Sequence, residues 1–426
     1  MRVAVIGSGI SGLTAAYGMR NEHDVHVFEA GRSAGGHSHT LTVHEGDRDV
    51  AVDTGFIVYN EVTYPGFTAL LKELGTATID SEMSFGVSCK PHGLEYSSRG
   101  IAGMFAQPTS MMHPSRLRML FEIMRFDRES KALLERGGVA EDSLGEFLSR
   151  YGFSAAFRNH YIAPLVGAIW STPPNAVPSY PVRYLFEFLH NHGLLSFTGR
   201  LLWRTVKGGS RQYVEKMVKR LPNGVRVNTP IESVSRDADG VSLIVRGETL
   251  RFDRVVLACH SDQALRLLAD ATPTERQALG DIAYEPSMVV LHSDAQVMPQ
   301  RKRAWASWIF ATDVCTGGPS PASVTYHINR LQRLDAERDY FVTVNPNVEL
   351  DSSKVIERFS YSHPQYTCKS IKAQGLLKSV NGFNRTHFAG AYLGHGFHED
   401  GFRSGQDVAV ALSAGVRSLA PIEERS

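Results

Sequence analysis

Residues 2–12 read Arg-Val-Ala-Val-Ile-Gly-Ser-Gly-Ile-Ser-Gly, an apolar run followed at once by glycines at positions 7, 9 and 12. The run 2–6 is typical of a buried strand, residues 13–19 continue as a helix, and residues 24–29 form a second valine-rich run. Glycines at this spacing allow a tight turn and let a pyrophosphate approach the N–H groups at the helix N-terminus. The stretch therefore predicts the first strand–helix–strand unit of a dinucleotide-binding domain.

The second strand ends on an acidic residue, Glu29, seventeen residues after Gly12. A carboxylate at this place can accept hydrogen bonds from a ribose hydroxyl, and its charge disfavours the 2′-phosphate of NADP. The glycine pattern occurs once in the chain, so we expect no second nucleotide-binding domain. A reductase or monooxygenase that depends on a pyridine nucleotide is therefore disfavoured.

Composition excludes several other classes of protein. The chain has 426 residues, which suggests two or three structural units, and 45 Lys and Arg balance 44 Asp and Glu, so nucleic acid is not an expected partner. Four cysteines without a C-x-x-C pair exclude a disulfide scaffold, and no apolar run approaches the roughly 18 residues of a membrane span. Because the first strand begins at residue 2, we expect no signal peptide and a cytoplasmic location.

A second motif narrows the choice of dinucleotide. Residues 29–40 read Glu-Ala-Gly-Arg-Ser-Ala-Gly-Gly-His-Ser-His-Thr, and the turn 53–55, Asp-Thr-Gly, follows shortly after. Here the chain resembles the flavin-containing amine oxidase superfamily, which includes protoporphyrinogen oxidases and carotenoid desaturases. In that superfamily a glycine pair matched by residues 35–36 closes over FAD, and a threonine matched by Thr40 lies near the flavin. His37 stands where the superfamily usually has arginine.

Two later segments carry the same resemblance. Residues 207–210, Lys-Gly-Gly-Ser, precede an amphipathic helix. Residues 388–390 open a strand-to-helix turn, and residues 401–405 start a last helix, whose N-terminus is expected to face the flavin pyrimidine. Cys368 lies loosely where some relatives attach flavin, but its surroundings differ, so we expect FAD to be held non-covalently. The cofactor-binding residues that the motifs and the resemblance imply are Gly7, Gly9, Ser11, Gly12, Glu29, Ala30, Gly36, His37, Thr40, Thr54, Gly55, Ile231, Ala258, Gly390 and Arg403.

The resemblance implies an α/β fold, in which an FAD-binding Rossmann-like domain with the GxGxxG turn carries an inserted α+β substrate domain, as in amine oxidases. We assign residues 1–58, 200–275 and 381–426 to the FAD-binding domain and residues 59–199 and 276–380 to the substrate domain. Helical periodicity predicts three helices in the first insertion, at 63–74, 116–136 and 143–151. Alternation predicts strands in the second, at 287–291 and 340–344.

The sequence also departs from amine oxidases. No lysine occurs at 284–288, where amine oxidases keep one beside flavin N5, and His398 replaces one of the two rings that hold the amine. Residues 53–60 and 396–401 look closer to a bacterial subgroup of predicted FAD/NAD-binding proteins, which is associated with methyltransferases of the cyclopropane-fatty-acid-synthase type. That association implies a fatty acyl substrate and a lipid-methyltransferase partner.

Four residues are candidates for catalysis. His398 and Glu399 adjoin the expected flavin face and could take a proton while hydride leaves for the flavin, although Glu399 could instead bond ribitol or cap the last helix. Tyr59 and Asn60 follow the 53–55 turn and could orient substrate, with packing and turn roles as the alternative. No carboxylate or cysteine cluster completes the histidine pairs, so no metal is expected.

Two basic-aromatic patches suit an anionic membrane surface. One joins residues 301–303 to Trp305, Trp308 and Phe310, and the other sets Leu117, Leu120, Phe121 and Met124 beside arginines at 116, 118, 125 and 128. Core packing is the alternative for both. If the substrate is a phospholipid acyl chain, these patches would hold the protein peripherally on the inner membrane face.

Three functional hypotheses follow from these observations. The first is an FAD-dependent oxidoreductase that desaturates an unsaturated or methylated fatty acyl chain, with amines or carotenoids as other substrates of that class. The second is a redox-neutral, flavin-dependent isomerase of fatty-acid double bonds. The third is a non-catalytic, flavin-bearing subunit of a lipid-modifying complex.

Overall fold

The computed structural model describes residues 1–89, 93–107, 114–136, 142–170, 175–191, 201–312 and 323–413. The strands of these residues are β1 (Arg2–Ile6), β2 (Asp24–Phe28), β3 (Thr40–Glu45), β4 (Arg48–Asp53), β5 (Val58–Asn60), β6 (Thr78–Asp80), β7 (Phe85–Cys89), β8 (Leu94–Ser97), β9 (Trp203–Val206), β10 (Val225–Arg226), β11 (Ser233–Arg236), β12 (Val241–Val245), β13 (Glu248–Phe252), β14 (Arg254–Leu257), β15 (Tyr284–His292), β16 (Trp308–Thr312), β17 (Ser323–His327), β18 (Phe341–Val344), β19 (Val355–Pro364) and β20 (Thr386–Phe388).

The α-helices in the same ranges are α1 (Ile10–Met19), α2 (Pro65–Glu73), α3 (Gly100–Met104), α4 (Pro114–Glu135), α5 (Leu144–Arg150), α6 (Ala155–Phe157), α7 (Ala163–Trp170), α8 (Val182–Asn191), α9 (Arg211–Lys219), α10 (Ser261–Leu267), α11 (Pro273–Gly280), α12 (Ile328–Gln332), α13 (Cys368–Val380) and α14 (His398–Ser413). None of these described helices has the length and apolarity that crossing a membrane requires.

A five-stranded parallel sheet in the order β10-β2-β1-β14-β20 positions the glycine turn. Its central strands, β1 and β14, consist mostly of buried valine, alanine, isoleucine and leucine residues. This pattern is expected where helices cover both faces of a parallel sheet. One edge of the sheet contains the carboxyl ends of β1, β2, β14 and β20. The residues that follow these ends therefore lie near one another, namely Gly7, Glu29, Ala258 and Ala389. This edge is where ligands of open parallel sheets bind.

Helices α1 and α14 pack closely on this sheet, and small residues make the approach possible. A Cβ on Gly405 would lie 2.2 Å from Ser11 O, and one on Gly18 would lie 2.6 Å from Ala409 Cβ. Nine of the ten residues of α1 are buried, because the sheet covers one side and α14 another. The close contact fixes where the N-terminus of α14 meets the glycine turn.

A second, seven-stranded sheet has the order β19-β15-β18-β17-β16-β7-β8 and is antiparallel except between β16 and β7. The β3–β4 hairpin packs on it through Val50 and Val52. A layer of helices, α4 to α8, encloses an aromatic core around Phe126, Phe147 and Phe186. Smaller sheets, β5-β9-β6 and β11-β12-β13, complete the described strands.

The α/β architecture predicted from the sequence is confirmed, and so are helices near the three predicted stretches of the first insertion, namely α2, α4 and α5. That insertion also contains β6, β7 and β8, which helical periodicity did not indicate. The aromatic residues of the 301–310 patch turn inward, because Phe310 is buried in β16 and the Trp305 indole donates to Pro299 O at 2.8 Å. The aromatic side chains of that patch therefore pack in the core, which was the alternative to contact with a membrane.

Candidate active site

The turn after β1 contains three glycines, and only one of them has open space beside it that a ligand could occupy. Gly7 has φ +103° and its N–H donates to Phe28 O at 2.8 Å, while a Cβ on Gly7 would lie 2.6 Å from Ala258 O. A Cβ on Gly12 would lie 2.0 Å from Gly7 O. A Cβ on Gly9, by contrast, meets no atom of the described residues within 4 Å. The space beside Gly9 is open, whereas the other two glycines allow the backbone to pack.

The N-terminus of α1 begins at this open space. Gly9 is its N-cap residue, and no side chain in the described part of the chain caps the helix. The N–H groups of the first turn, which include those of Ser11 and Gly12, therefore have no side-chain cap and lie at the positive end of the helix dipole. A pyrophosphate is the ligand that such an end accepts.

The acid after β2 is fixed beside the turn. The Glu29 carboxylate accepts hydrogen bonds from Ser8 N at 2.9 Å, from Ser8 Oγ at 2.6 Å and from Gly31 N at 2.7 Å. Ala30 follows it and is exposed. The carboxylate is thus held next to Gly7 and Gly9, where a ribose hydroxyl can reach it.

The second glycine pair contacts the first turn directly. Gly35 N donates to Ser8 O at 3.0 Å, and Gly36 has φ +57° with a Cβ position 3.1 Å from Gly9 Cα. Any side chain at Gly36 would fill the space beside Gly9. The two turns form one cradle, and its open glycine, uncapped helix end and fixed acid fit the pyrophosphate and ribose of FAD.

A cluster of neutral imidazoles follows the cradle. The His37 ring lies 5.9 Å from that of His260, 5.8 Å from that of His363 and 4.9 Å from that of Tyr361, and His260 stacks on Tyr284 at 4.5 Å. Burial lowers the pKa of His37 to about 3 and that of His363 to about 4. Within the described residues, His37 Nε2 and His363 Nδ1 are buried without a hydrogen-bond partner. Unpaired buried nitrogens mark a place where a polar ligand is expected.

Thr40 takes part in a buried polar network rather than facing open space. Its Oγ1 donates to Asp53 Oδ1 at 2.5 Å, and the Asp53 carboxylate also accepts from Ser210 N at 2.9 Å and Gln332 Nε2 at 2.9 Å. Burial raises the pKa of Asp53 to about 6. The network joins the 53–55 turn to the 207–210 turn.

The 53–55 turn lies against the residues that follow the second glycine pair. Thr54 Oγ1 and His39 Nδ1 are 2.8 Å apart, and Thr54 Oγ1 lies 3.2 Å from the Tyr361 hydroxyl. A Cβ on Gly55 would lie 2.2 Å from His37 O. Thr54 and Gly55 therefore shape the histidine cluster.

His398 lies in an aromatic box at the start of α14. Its ring stacks on Phe56 at 3.7 Å, meets the edge of Phe67 at 4.8 Å, and its Nε2 lies 2.8 Å from the Tyr213 hydroxyl, which in turn contacts Ser38 Oγ. Burial lowers the pKa of His398 to about 3, so the ring is neutral. The role of His398 as a base remains a hypothesis.

Glu399 binds the backbone of another helix. Its carboxylate accepts from Gly66 N at 3.0 Å and Phe67 N at 2.9 Å, in the first turn of α2, and from Arg403 Nε at 3.1 Å. A carboxylate at a helix N-terminus is in a stabilising position. These contacts favour a capping role, here for α2 rather than for the last helix, and Arg403 pairs with Glu399.

The two residues proposed to orient substrate have other contacts. Tyr59 is 2% exposed and packs against Phe67 at 5.4 Å. Asn60 is buried, and its Oδ1 accepts from Val62 N and Thr63 N in the turn before α2. These contacts favour the packing and turn roles over contact with substrate.

The remaining expected cofactor residues lie at the edge of the parallel sheet or near it. Ala258 follows β14, and its N–H donates to Ile6 O at 2.8 Å beside Gly7. Gly390 follows β20 and donates to Ser404 Oγ at 2.9 Å. Ile231 is partly buried, precedes β11 and packs between the parallel sheet and β11–β13. Ala258 and Gly390 thus lie at the ligand-binding edge.

The C-terminal motif packs into an aromatic surface supplied by the helical layer. His395 stacks on Tyr184 at 4.2 Å and Phe397 on Phe188 at 4.5 Å, while the Trp170 indole donates to His395 O at 3.1 Å. The nearby Asp400 carboxyl accepts from Phe397 N at 2.9 Å, and burial raises its pKa to about 6. The contact between the helical layer and the motif is therefore aromatic and largely buried.

Sequence reasoning missed the partners of His37. His260 follows β14 at the carboxyl edge, as Gly7 follows β1, so its strand position could have indicated it. His363 and Tyr361 come from β19 in the other sheet, and no local pattern marks them.

The cradle, the fixed acid and the edge position define a dinucleotide-binding site of the FAD type, and comparisons with known proteins identify the family. The family model described as flavin containing amine oxidoreductase matches residues 10–305, more than half of the chain. The chain belongs to this family, and it is an FAD-dependent oxidoreductase. No curated protein matches the chain.

Solved structures show the same fold at low sequence identity. A CLA-producing fatty acid isomerase from P. acnes is 17% identical, with a TM-score of 0.68 over 96% of this chain and 98% of that chain. A putrescine oxidase bound to putrescine is 17% identical, with a TM-score of 0.70 over 97% of this chain and 99% of that chain. Cyclohexylamine oxidase from Brevibacterium oxydans IH-35A is 16% identical, with a TM-score of 0.70 over the same shares.

Proposed function

We propose that this oxidoreductase acts on a hydrocarbon substrate, and that it desaturates an unsaturated or methyl-branched fatty acyl chain. The observation that carries the substrate class is the aromatic packing around the C-terminal motif, where His395 and Phe397 stack on the buried Tyr184 and Phe188. Aromatic and weakly charged surroundings suit an apolar chain, because burying polar groups there would leave their hydrogen bonds unmet.

Glu399 and Asp400, the two carboxylates of the motif itself, already have partners and so do not favour an ammonium substrate. Glu399 is bound to the backbone of α2 and to Arg403, and Asp400 accepts from the backbone of Phe397. Strand β15 contains no lysine, the residue that amine oxidases keep beside the flavin. These features favour a hydrocarbon over an amine.

Bound FAD supplies an acceptor for hydride from carbon. Desaturation breaks two C–H bonds, one as hydride and one as a proton, and an external electron acceptor must then take the electrons. The imidazoles of His37, His363 and His398 are neutral and can accept a proton, although their lowered pKa makes them weak bases.

That weakness favours a second candidate, isomerisation of a double bond. An isomerase returns the hydride to another carbon of the same chain. It therefore needs neither an external electron acceptor nor a base that keeps a proton from the substrate. The fold shared with the P. acnes fatty acid isomerase agrees with this candidate. A shared fold does not by itself identify a substrate.

An anaerobic experiment tests the proposal. The FAD-loaded protein is mixed with phospholipids that carry unsaturated or methyl-branched acyl chains, and flavin absorbance and acyl mass are followed. Loss of flavin absorbance with loss of two hydrogens supports the desaturase, and a moved double bond at unchanged mass supports the isomerase. Bleaching by putrescine or cyclohexylamine, with unchanged lipids, would overturn the hydrocarbon assignment. Saturated, unbranched phospholipid is the matched control.

A further inference from the structure

Helix α4 exposes an apolar stripe on its outer face. Leu117, Phe121 and Met124 are 42%, 68% and 50% exposed, and their spacing of four and three residues places them on one side of the helix. The opposite side is the ordinary core side, with Met119, Ile123 and Phe126 at 4%, 1% and 0% exposure. The stripe is therefore additional to the face that packs on the protein.

Basic side chains border and extend the stripe. Arg128 lies four residues beyond Met124 on the same face, and its side chain is 74% exposed. Arg118, with a side chain 63% exposed, flanks the stripe. Two acids of α4 are largely buried, since Glu122 is 5% and Asp127 9% exposed. Arg118 nevertheless pairs with Glu122 at 3.2 Å, and Arg128 pairs with Glu129 at 3.0 Å. The outer face from Leu117 to Arg128 thus presents apolar and cationic groups to the surroundings.

A shallow groove runs along the same face. It has a volume of about 500 Å³, and its lining residues are Pro114, Leu117, Arg118, Phe121, Glu122 and Arg125. The lining combines apolar side chains with Arg118, which pairs with Glu122, and with Arg125, which donates to Tyr151 O. An apolar floor with cationic groups at its side suits an anionic headgroup with the acyl carbons beneath it.

The other exposed large apolar side chains of the described residues are spread over separate elements. They are Met1, Val62, Leu202, Met288, Ile356 and Val410. Single exposed apolar residues are normal on a protein surface, whereas a contiguous stripe indicates an interaction surface. The stripe on α4 is such a surface.

We propose that the outer face of α4 binds the surface of an anionic phospholipid bilayer. The apolar side chains would enter the boundary between headgroups and acyl chains, and the arginines would meet the headgroup phosphates. A second copy of the chain would set like-charged arginine faces against each other, so charge favours the bilayer. This inference goes beyond the proposed function, because docking is measured without turnover.

Sedimentation with vesicles tests the docking. The FAD-loaded full chain is mixed with vesicles of phosphatidylglycerol and phosphatidylcholine in equal parts, or of phosphatidylcholine alone. We expect stronger binding to the anionic vesicles, a loss of roughly tenfold or more for Phe121→Ser, and a loss of roughly fivefold for Arg128→Gln on anionic vesicles only. Val410→Ser, which removes an exposed apolar side chain on α14, is the matched control and should bind like the unchanged protein.

Three results would overturn the proposal. They are equal binding to both vesicle types, no binding to either, and Phe121→Ser bound as tightly as the unchanged protein. A lipid-free dimer that Phe121→Ser dissociates would assign the face to a second copy instead. Retained flavin absorbance and an unchanged melting temperature show that each variant is folded.

Discussion

Replacing Gly9 by alanine should weaken FAD binding without weakening the fold. Gly9 has φ −66° and ψ 178°, an extended conformation that any residue adopts, and its Cβ position meets no described atom within 4 Å. Because the uncapped end of α1 begins at the next residue, the new methyl would stand where a pyrophosphate must approach. Forcing one methyl into a filled contact costs about 1–3 kcal/mol. We therefore expect the Kd for FAD to rise about 5- to 150-fold.

The assay is titration of the apo-protein with FAD, together with thermal unfolding of the apo-protein. Gly12→Ala is the control, since its Cβ would lie 2.0 Å from Gly7 O and should lower the melting temperature even without FAD. An unchanged FAD affinity for Gly9→Ala would refute the placement of the pyrophosphate at this turn. A lower melting temperature of apo Gly9→Ala would contradict the open space beside it.

Two further predictions concern titratable groups. Acidification below pH 6.5 should destabilise the fold, because buried histidines gain protons when the protein unfolds. Burial lowers the pKa of five of them to about 3 or 4, namely His37, His292, His363, His387 and His398. Three carboxyls with raised pKa oppose this effect, Asp53, Asp127 and Asp400. Burial also lowers the pKa of four more histidines, which add to the proton uptake, namely His39, His260, His327 and His395. Urea unfolding near pH 5 should therefore show a net uptake of at least about two protons, and stability should fall by at least about 3 kcal/mol per pH unit. Glu399→Gln should lower the unfolding free energy by about 1–2 kcal/mol because its bonds to α2 and Arg403 weaken, whereas Arg403→Gln should cost less than about 1 kcal/mol. Lost turnover at an unchanged melting temperature in Glu399→Gln would instead make the carboxylate the base.

Local patterns predicted the parts of the fold that local physics determines. The glycine turn after an apolar strand, the acid after the next strand and the periodicity of α2 and α4 are each contained in a short stretch of chain. The cradle also follows from sequence, because the contacts of Glu29 and Gly36 with Ser8 and Gly9 involve neighbouring strand ends.

Long-range contacts decided the rest of the site. Glu399 stands beside the C-terminal motif and suggested catalysis, yet its partners are the N–H groups of Gly66 and Phe67, more than three hundred residues earlier. The partner of His37 on β19, His363, is equally remote in sequence. No periodicity or motif indicates such pairings, since they arise only when elements distant in sequence pack together.

The substrate class is the central claim, and the mass of the acyl chain after anaerobic incubation with the FAD-loaded protein tests it most directly. The account predicts an acyl chain that has lost two hydrogens while the flavin bleaches, or one whose double bond has moved at constant mass. Unaltered acyl chains, together with a flavin that an amine reduces, would contradict it.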